Sequence, residues 1–161
     1  MLANGEYYCR MDADDMMLSE RLEKQINFLI SNPEVDIVGS GVITINNNNQ
    51  IIGVRKGGNN KKVLLNHLLY GTWCVHPTSM GKSTWFKKNK YDVSLKRAQD
   101  YDLWIRTVEN SHFSRLEIPL LYYREASTST IKKYFIAVKH SLKIYWKNVK
   151  TLGFSNSCKL L

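Results

Sequence analysis

The sequence predicts an α/β domain, and three observations carry that prediction. A short aromatic strand segment ends in an acidic cluster, a helix-period segment follows at once, and an apolar run then returns on itself through an Asn-rich turn. At 161 residues the chain fits one domain with a core of its own. Its 43% hydrophobic and 23% charged residues exclude disordered and fibrous classes. The apolar runs are far shorter than the roughly 18–20 residues that span a bilayer, so no transmembrane helix is predicted.

Glu6–Met11 reads as a buried strand running into Asp12, Asp14 and Asp15. A helix follows, with Ser19 as N-cap, Leu22, Ile26, Leu29 and Ile30 as its apolar face, and a stop before Asn32-Pro33. Residues 36–45 and 50–54 form a hairpin around Asn46–Asn49, because Asn tolerates the left-handed backbone of a tight turn. Residues 61–70 place Val63, Leu64, His67 and Leu68 at helical spacing, and Trp73–Met80 is extended or looped around Pro77. A short helix over 83–89, a loop over 90–97 and a buried helix over 98–109 come next. Two short strands, 114–118 and 120–124, then flank Pro119.

The formal charge is +9, but residues 126–161 hold seven Lys and no acid, which leaves +2 for residues 1–125. The chain therefore divides into a body, 1–125, and a basic helical tail, 126–161. A near-neutral body without a nucleic-acid motif argues against a nucleic-acid partner. Cys9, Cys74 and Cys158 are an odd set with no CxxC spacing, which excludes a disulfide framework and a zinc site. With no basic-then-apolar start, the protein is expected in the cytoplasm.

Three carboxylates within four residues raise one another's energy unless a cation or solvent offsets them, and hard oxygen donors suit Mg²⁺ or Mn²⁺. Such a cation would be shared with phosphate oxygens, since Mg²⁺ takes only one or two carboxylates. Asp100 and Asp102 open a helix, where acids also oppose the dipole. His76 lies in a loop before Pro77, where a lone His is ordinarily a hydrogen-bonded surface residue. Trp104 sits between Leu103 and Ile105 on a helix and reads as core, whereas Trp73 lies in a loop.

The whole series is more specific than any part of it. Asp12-Ala13-Asp14-Asp15, Arg21-Leu22-Glu23-Lys24-Gln25, Asn32-Pro33, Asp36–Ser40, His76-Pro77-Thr78, Gln99-Asp100-Tyr101-Asp102 and Pro119–Arg124 occur in the order shown by GT-A family 2 glycosyltransferases. Residues 3–124 resemble that family. The resemblance implies a partial GT-A, Rossmann-like nucleotide-diphospho-sugar transferase fold and an inverting hexosyl-type transfer from a nucleotide-sugar donor. The acceptor would be a saccharide or lipid-linked molecule in cell-surface polysaccharide synthesis.

By the same resemblance Asp14 is a metal ligand with Asp15 as a second candidate, Asp12 contacts the nucleotide, and Asp100 is the catalytic base. Gln99 stands where the family usually has an acid, so it can hydrogen-bond an acceptor without carrying charge. His76 is then a candidate contact on the acceptor side, and Trp73, in its loop, is a better candidate than Trp104 for stacking on a sugar. The family's first β-α units, about 80 residues, are expected to be missing, which impairs the isolated chain and leaves a strand edge open to self-association. The alternative is a non-catalytic remnant that binds an acceptor or partner.

Residues 130–150 are expected to form an amphipathic helix, with Ile131, Tyr134, Phe135, Val138, Leu142, Tyr145 and Val149 on one side and six Lys around the rest. The pattern fits peripheral docking on the anionic inner face of a membrane, packing against the body, or both.

Overall fold

The computed structural model describes residues 4–58, 68, 73–125, 139, 142–144 and 146–148. The chain forms two compact units, one of Met1–Lys61, Cys74–Lys88 and His112–Ser127, the other of Lys62–Trp73, Asn89–Ser111 and Thr128–Leu161. The predicted helix over 61–70 lies outside the described residues apart from Leu68, and so does most of the predicted 130–150 helix.

The first unit holds a six-stranded mixed sheet. Its strands are β1 (Tyr7–Cys9), β2 (Met16–Met17), β3 (Ile37–Ile45), β4 (Ile51–Arg55), β5 (Met80–Lys82) and β6 (Phe113–Arg124), in the order β1-β5-β3-β6-β2 with β4 also on β3. β3 is the axis: its residues are almost all buried, it runs parallel to β6 from Ile37 to Ile45, and it is antiparallel to β4 and β5. The Asn46–Asn49 turn joins β3 to β4 as predicted, with Asn49 at φ 61°. β1 is only half-buried where a buried strand was predicted, because it lies at the end of the strand order and pairs with β5 alone.

Two short strands were expected around Pro119, and one strand runs through it instead. Proline lacks a ladder N–H, so it fits a strand where the pairing is already irregular. Pro119 stands opposite Gly41, and the β3–β6 register shifts on both sides of Gly41. A Cβ on Gly41 would lie 2.7 Å from the Arg55 carbonyl oxygen and 3.2 Å from the Pro119 nitrogen, so only glycine admits this close approach.

Helix α1 (Arg21–Ser31) covers the sheet with only half of the predicted face, Ile26 and Leu29. Leu22 and Ile30 are 39% and 61% exposed, while the buried stripe is Arg21, Gln25 and Leu29. Ser19 is not the cap; its hydroxyl donates to the Glu20 carboxylate, and Glu20 occupies the cap position. Leu29 joins Val35, Val38 and Met80 in a core flanked by Tyr7, Ile26, Phe28 and Leu116. Each such aliphatic side chain contributes about 1.5–3 kcal/mol by leaving water. On α2 (Ser83–Lys88), Trp85 meets Phe86 and Phe113 edge-on, at 5.1 and 5.8 Å between ring centres.

In the second unit α3 (Gln99–Thr107) begins after Ala98, which is left-handed at φ 55°, and buries Tyr101 through Ile105. The Tyr101 hydroxyl donates to the Leu68 carbonyl. Among the described residues no helix is long and apolar enough to cross a membrane.

Candidate active site

The acidic turn follows β1 directly, and its three carboxylates are treated differently. Asp14 is exposed and Asp12 half-buried, with its Oδ1 accepting from Arg10 Nη2 at 3.0 Å. Asp15 is turned inward at 6% exposure, where its Oδ1 accepts from the Arg124 backbone N–H at 2.9 Å and its Oδ2 is buried without a hydrogen-bond partner. Burial pushes the Asp15 carboxyl above the usual carboxylate range. The Arg124 N–H pulls it back, and the neighbouring Asp14 and Asp12 charges push it up further.

Two arginines fix this turn. Arg124, at the end of β6, donates from Nε to the Asp14 carbonyl at 3.0 Å, from Nη1 to the Asn46 carbonyl at 2.7 Å and from Nη2 to Asn49 Oδ1 at 2.7 Å. Arg21 is fully buried. Its Nη2 donates to the carbonyls of Arg10 at 2.8 Å and Pro77 at 2.7 Å, and its Nε donates to Gln25 Oε1 at 2.9 Å. Gln25 Nε2 then donates to the carbonyls of Thr78 at 2.8 Å and Val38 at 3.2 Å. The pair thus ties the end of β1 to the His76–Thr78 turn and to β3. Burial lowers the Arg21 pKa, and the nearby Cys9 and Asp15 oppose that shift. No structural role for Arg21, Gln25 or Arg124 was predicted; the i, i+4, i+8 spacing of Arg21 and Gln25 with buried Leu29 is the signal that pointed to it.

His76 is half-buried at the start of its 3₁₀ turn, and its carbonyl accepts from both the N–H and the hydroxyl of Ser79. Pro77, Thr78 and Ser79 are buried beside it.

In the second unit Asp100 and Asp102 fall on opposite sides of α3. Asp100 is half-buried, and Gln99 is exposed with its amide donating to the Leu95 carbonyl. Asp102 is fully buried. Its Oδ2 accepts from Arg106 Nε at 2.7 Å, and its Oδ1 accepts from Asn148 Nδ2 at 3.4 Å. Asp102 is therefore a packing anchor. Trp73 differs from its predicted exposed role: it is 1% exposed and packed edge-to-face on Trp104 at 5.5 Å. A loop ring with an aromatic neighbour to bury against goes into the interior.

Among the described residues no group of three or more His, Cys, Asp or Glu is placed to hold a metal. The outward oxygens of Asp12 and Asp14 fit a divalent cation that takes one or two carboxylates and completes its shell elsewhere.

The glycosyl transferase family 2 model matches residues 1–103. An uncharacterized glycosyltransferase of Methanocaldococcus jannaschii is 39% identical over 155 residues, covering 92% of this chain and 53% of that protein. The O-antigen biosynthesis glycosyltransferase WbnJ of Escherichia coli is 34% identical, covering 90% and 59%. The chain thus spans about half the length of the curated relatives it matches. The crystal structure of S. aureus TarS 1–349 aligns with a TM-score of 0.55 at 20% identity, over 76% of this chain and 37% of that one, a likeness of fold. The mixed α/β sheet, the order of the acidic motifs and these matches agree: the chain belongs to glycosyltransferase family 2.

Proposed function

We propose that this chain carries the metal-binding and base-bearing part of an inverting glycosyltransferase that acts in cell-surface polysaccharide synthesis. The supporting observation is the division of labour in each acidic site, where one carboxylate is locked inward and its neighbours are left outward. Asp14 would hold the divalent cation, Asp12 beside it contacts the nucleotide, and Asp15 holds the turn beneath them. A bound Mg²⁺ or Mn²⁺ would offset the negative charge that builds on the departing diphosphate. Arg21 and Gln25 keep the end of β1 at a fixed distance from the His76 turn. His76 and Gln99 contact the acceptor.

Asp100 accepts the proton of an acceptor hydroxyl as that oxygen bonds to the anomeric carbon, while the carbon–oxygen bond to the diphosphate breaks with inversion. The pathway assignment leans on relatives named for O-antigen and amylovoran biosynthesis.

The test is transfer or hydrolysis of a panel of nucleotide sugars, with and without Mn²⁺, by a polypeptide that carries the activity. Asp100→Asn is expected to lower turnover about 10²- to 10⁴-fold with donor affinity little changed, and Asp14→Asn to raise the metal requirement. Normal turnover in Asp100→Asn, or full activity in a chelator, would overturn this mechanism. Acceptor binding without transfer or hydrolysis would favour a non-catalytic binding module.

A further inference from the structure

The second unit carries a surface that sugar transfer does not use. Residues 139, 142–144 and 146–148 are helical. At about 100° per residue, Ile144 and Asn148 share one side. They are 3% and 4% exposed, and Asn148 donates to the buried Asp102 and to the Ile144 carbonyl. The helix therefore packs on its own unit through that stripe and not through Leu142, which belongs to the predicted apolar side.

Leu142 and Trp146, one turn apart on the far side, are 53% and 67% exposed. Lys139 and Lys143 are exposed beside them, and Lys147, also exposed, lies 3.2 Å from the Asp92 carboxylate. An outward helix face ordinarily carries polar residues. Here it sets a Trp and a Leu next to two lysines that no described carboxylate pairs.

We infer that this face docks on an anionic lipid surface, with Leu142 and Trp146 in the headgroup–acyl boundary and Lys139 and Lys143 against lipid phosphates. The charge is complementary, since residues 126–161 hold seven Lys and no acid. The indole suits the boundary because it joins a large apolar body to one polar N–H. A nucleic acid would use the lysines but gives Leu142 no apolar partner. The inference does not depend on the catalytic reading, and its test contains neither donor nor acceptor.

The full chain is mixed with vesicles of phosphatidylcholine alone, or of phosphatidylcholine with phosphatidylglycerol, and sedimented at low and high salt. Binding is expected to the anionic vesicles only. Each Lys→Glu change at 139 or 143 should weaken it about fivefold or more. Vesicles with brominated acyl chains should quench tryptophan fluorescence, and that quenching should disappear in Trp146→Phe. Circular dichroism of each variant verifies the fold, and Leu142→Ser with Trp146→Ser offers a second, surface-only disruption. Equal binding to both vesicle types, no binding at low salt, or unaltered binding in the variants would overturn the inference. So would displacement of the vesicles by duplex DNA without any quenching.

Discussion

The acidic turn after β1 and the acidic start of α3 solve one problem in two ways. Both bury a carboxylate close to others that stay outward. At α3 the buried group, Asp102, has a full set of partners in Arg106 and Asn148. At the turn the buried group, Asp15, has one backbone donor, an unpaired second oxygen and two like charges next to it. The difference teaches where each site keeps its tension. The helix start is a relaxed platform for Asp100, whereas the turn is held against electrostatic strain by arginines bonded mainly to carbonyls.

Three measurements sharpen that contrast. The largest effect is expected from Asp102→Ala, which strands the Arg106 guanidinium and the buried Asn148 amide. It should lower stability by about 2–4 kcal/mol in urea unfolding, and a loss below about 1 kcal/mol would show that the platform does not rest on this carboxylate.

Asp15→Asn should behave in the opposite way, because the amide oxygen still accepts from the Arg124 N–H while the desolvated charge is gone. Stability at pH 7 should hold or rise. The raised pKa of Asp15 means its favourable, protonated contribution is complete below the unfolded value of about 3.9 and is lost as pH rises through the folded value. Wild-type protein should therefore gain from acidification toward pH 4 in a way the variant does not, and a clearly destabilised variant at pH 7 would mean the turn needs the charge.

The smallest effect belongs to Asp92, whose pKa is lowered to about 2 by the hydroxyl and N–H of Ser94 and then by Lys147. Its contribution is present above about pH 3.9 and lost as pH falls through about 2. Asp92→Asn should thus differ slightly from wild type at pH 6 and match it at pH 2.

Much of this architecture was legible in the sequence because local rules governed it. The Asn46–Asn49 turn, the α1 stop before Pro33 and the position of Asp12–Asp15 after a strand follow from turn chemistry and periodicity. What escaped was decided by distant partners. Hydropathy put Leu22 and Ile30 inward, but the carbonyls of Arg10, Pro77, Val38 and Thr78 needed donors, and the helix turned Arg21 and Gln25 toward them. Pro119 reads as a strand break until Gly41 is seen opposite it. Met16–Met17 is too short to register as a strand without Leu121 and Tyr122 beside it. In the site, Asp100 and Asp14 are proposed by motif alone, whereas the burial of Trp73 depended on Trp104, 31 positions further on.

The anchor of the acidic turn also imposes an order on how this chain matures. Asp15 and its backbone partner Arg124 are 109 residues apart, and β3 must wait for β6, which begins at Phe113. At about 5–20 residues per second of synthesis, roughly 5–20 s separate the emergence of the carboxylates from that of the arginine that clamps them. The turn is made well before the residue that clamps it. A nascent chain therefore carries an unclamped cluster of acids while those 109 residues are made, and a pause before the Arg124 codon would prolong that state without altering a single amino acid.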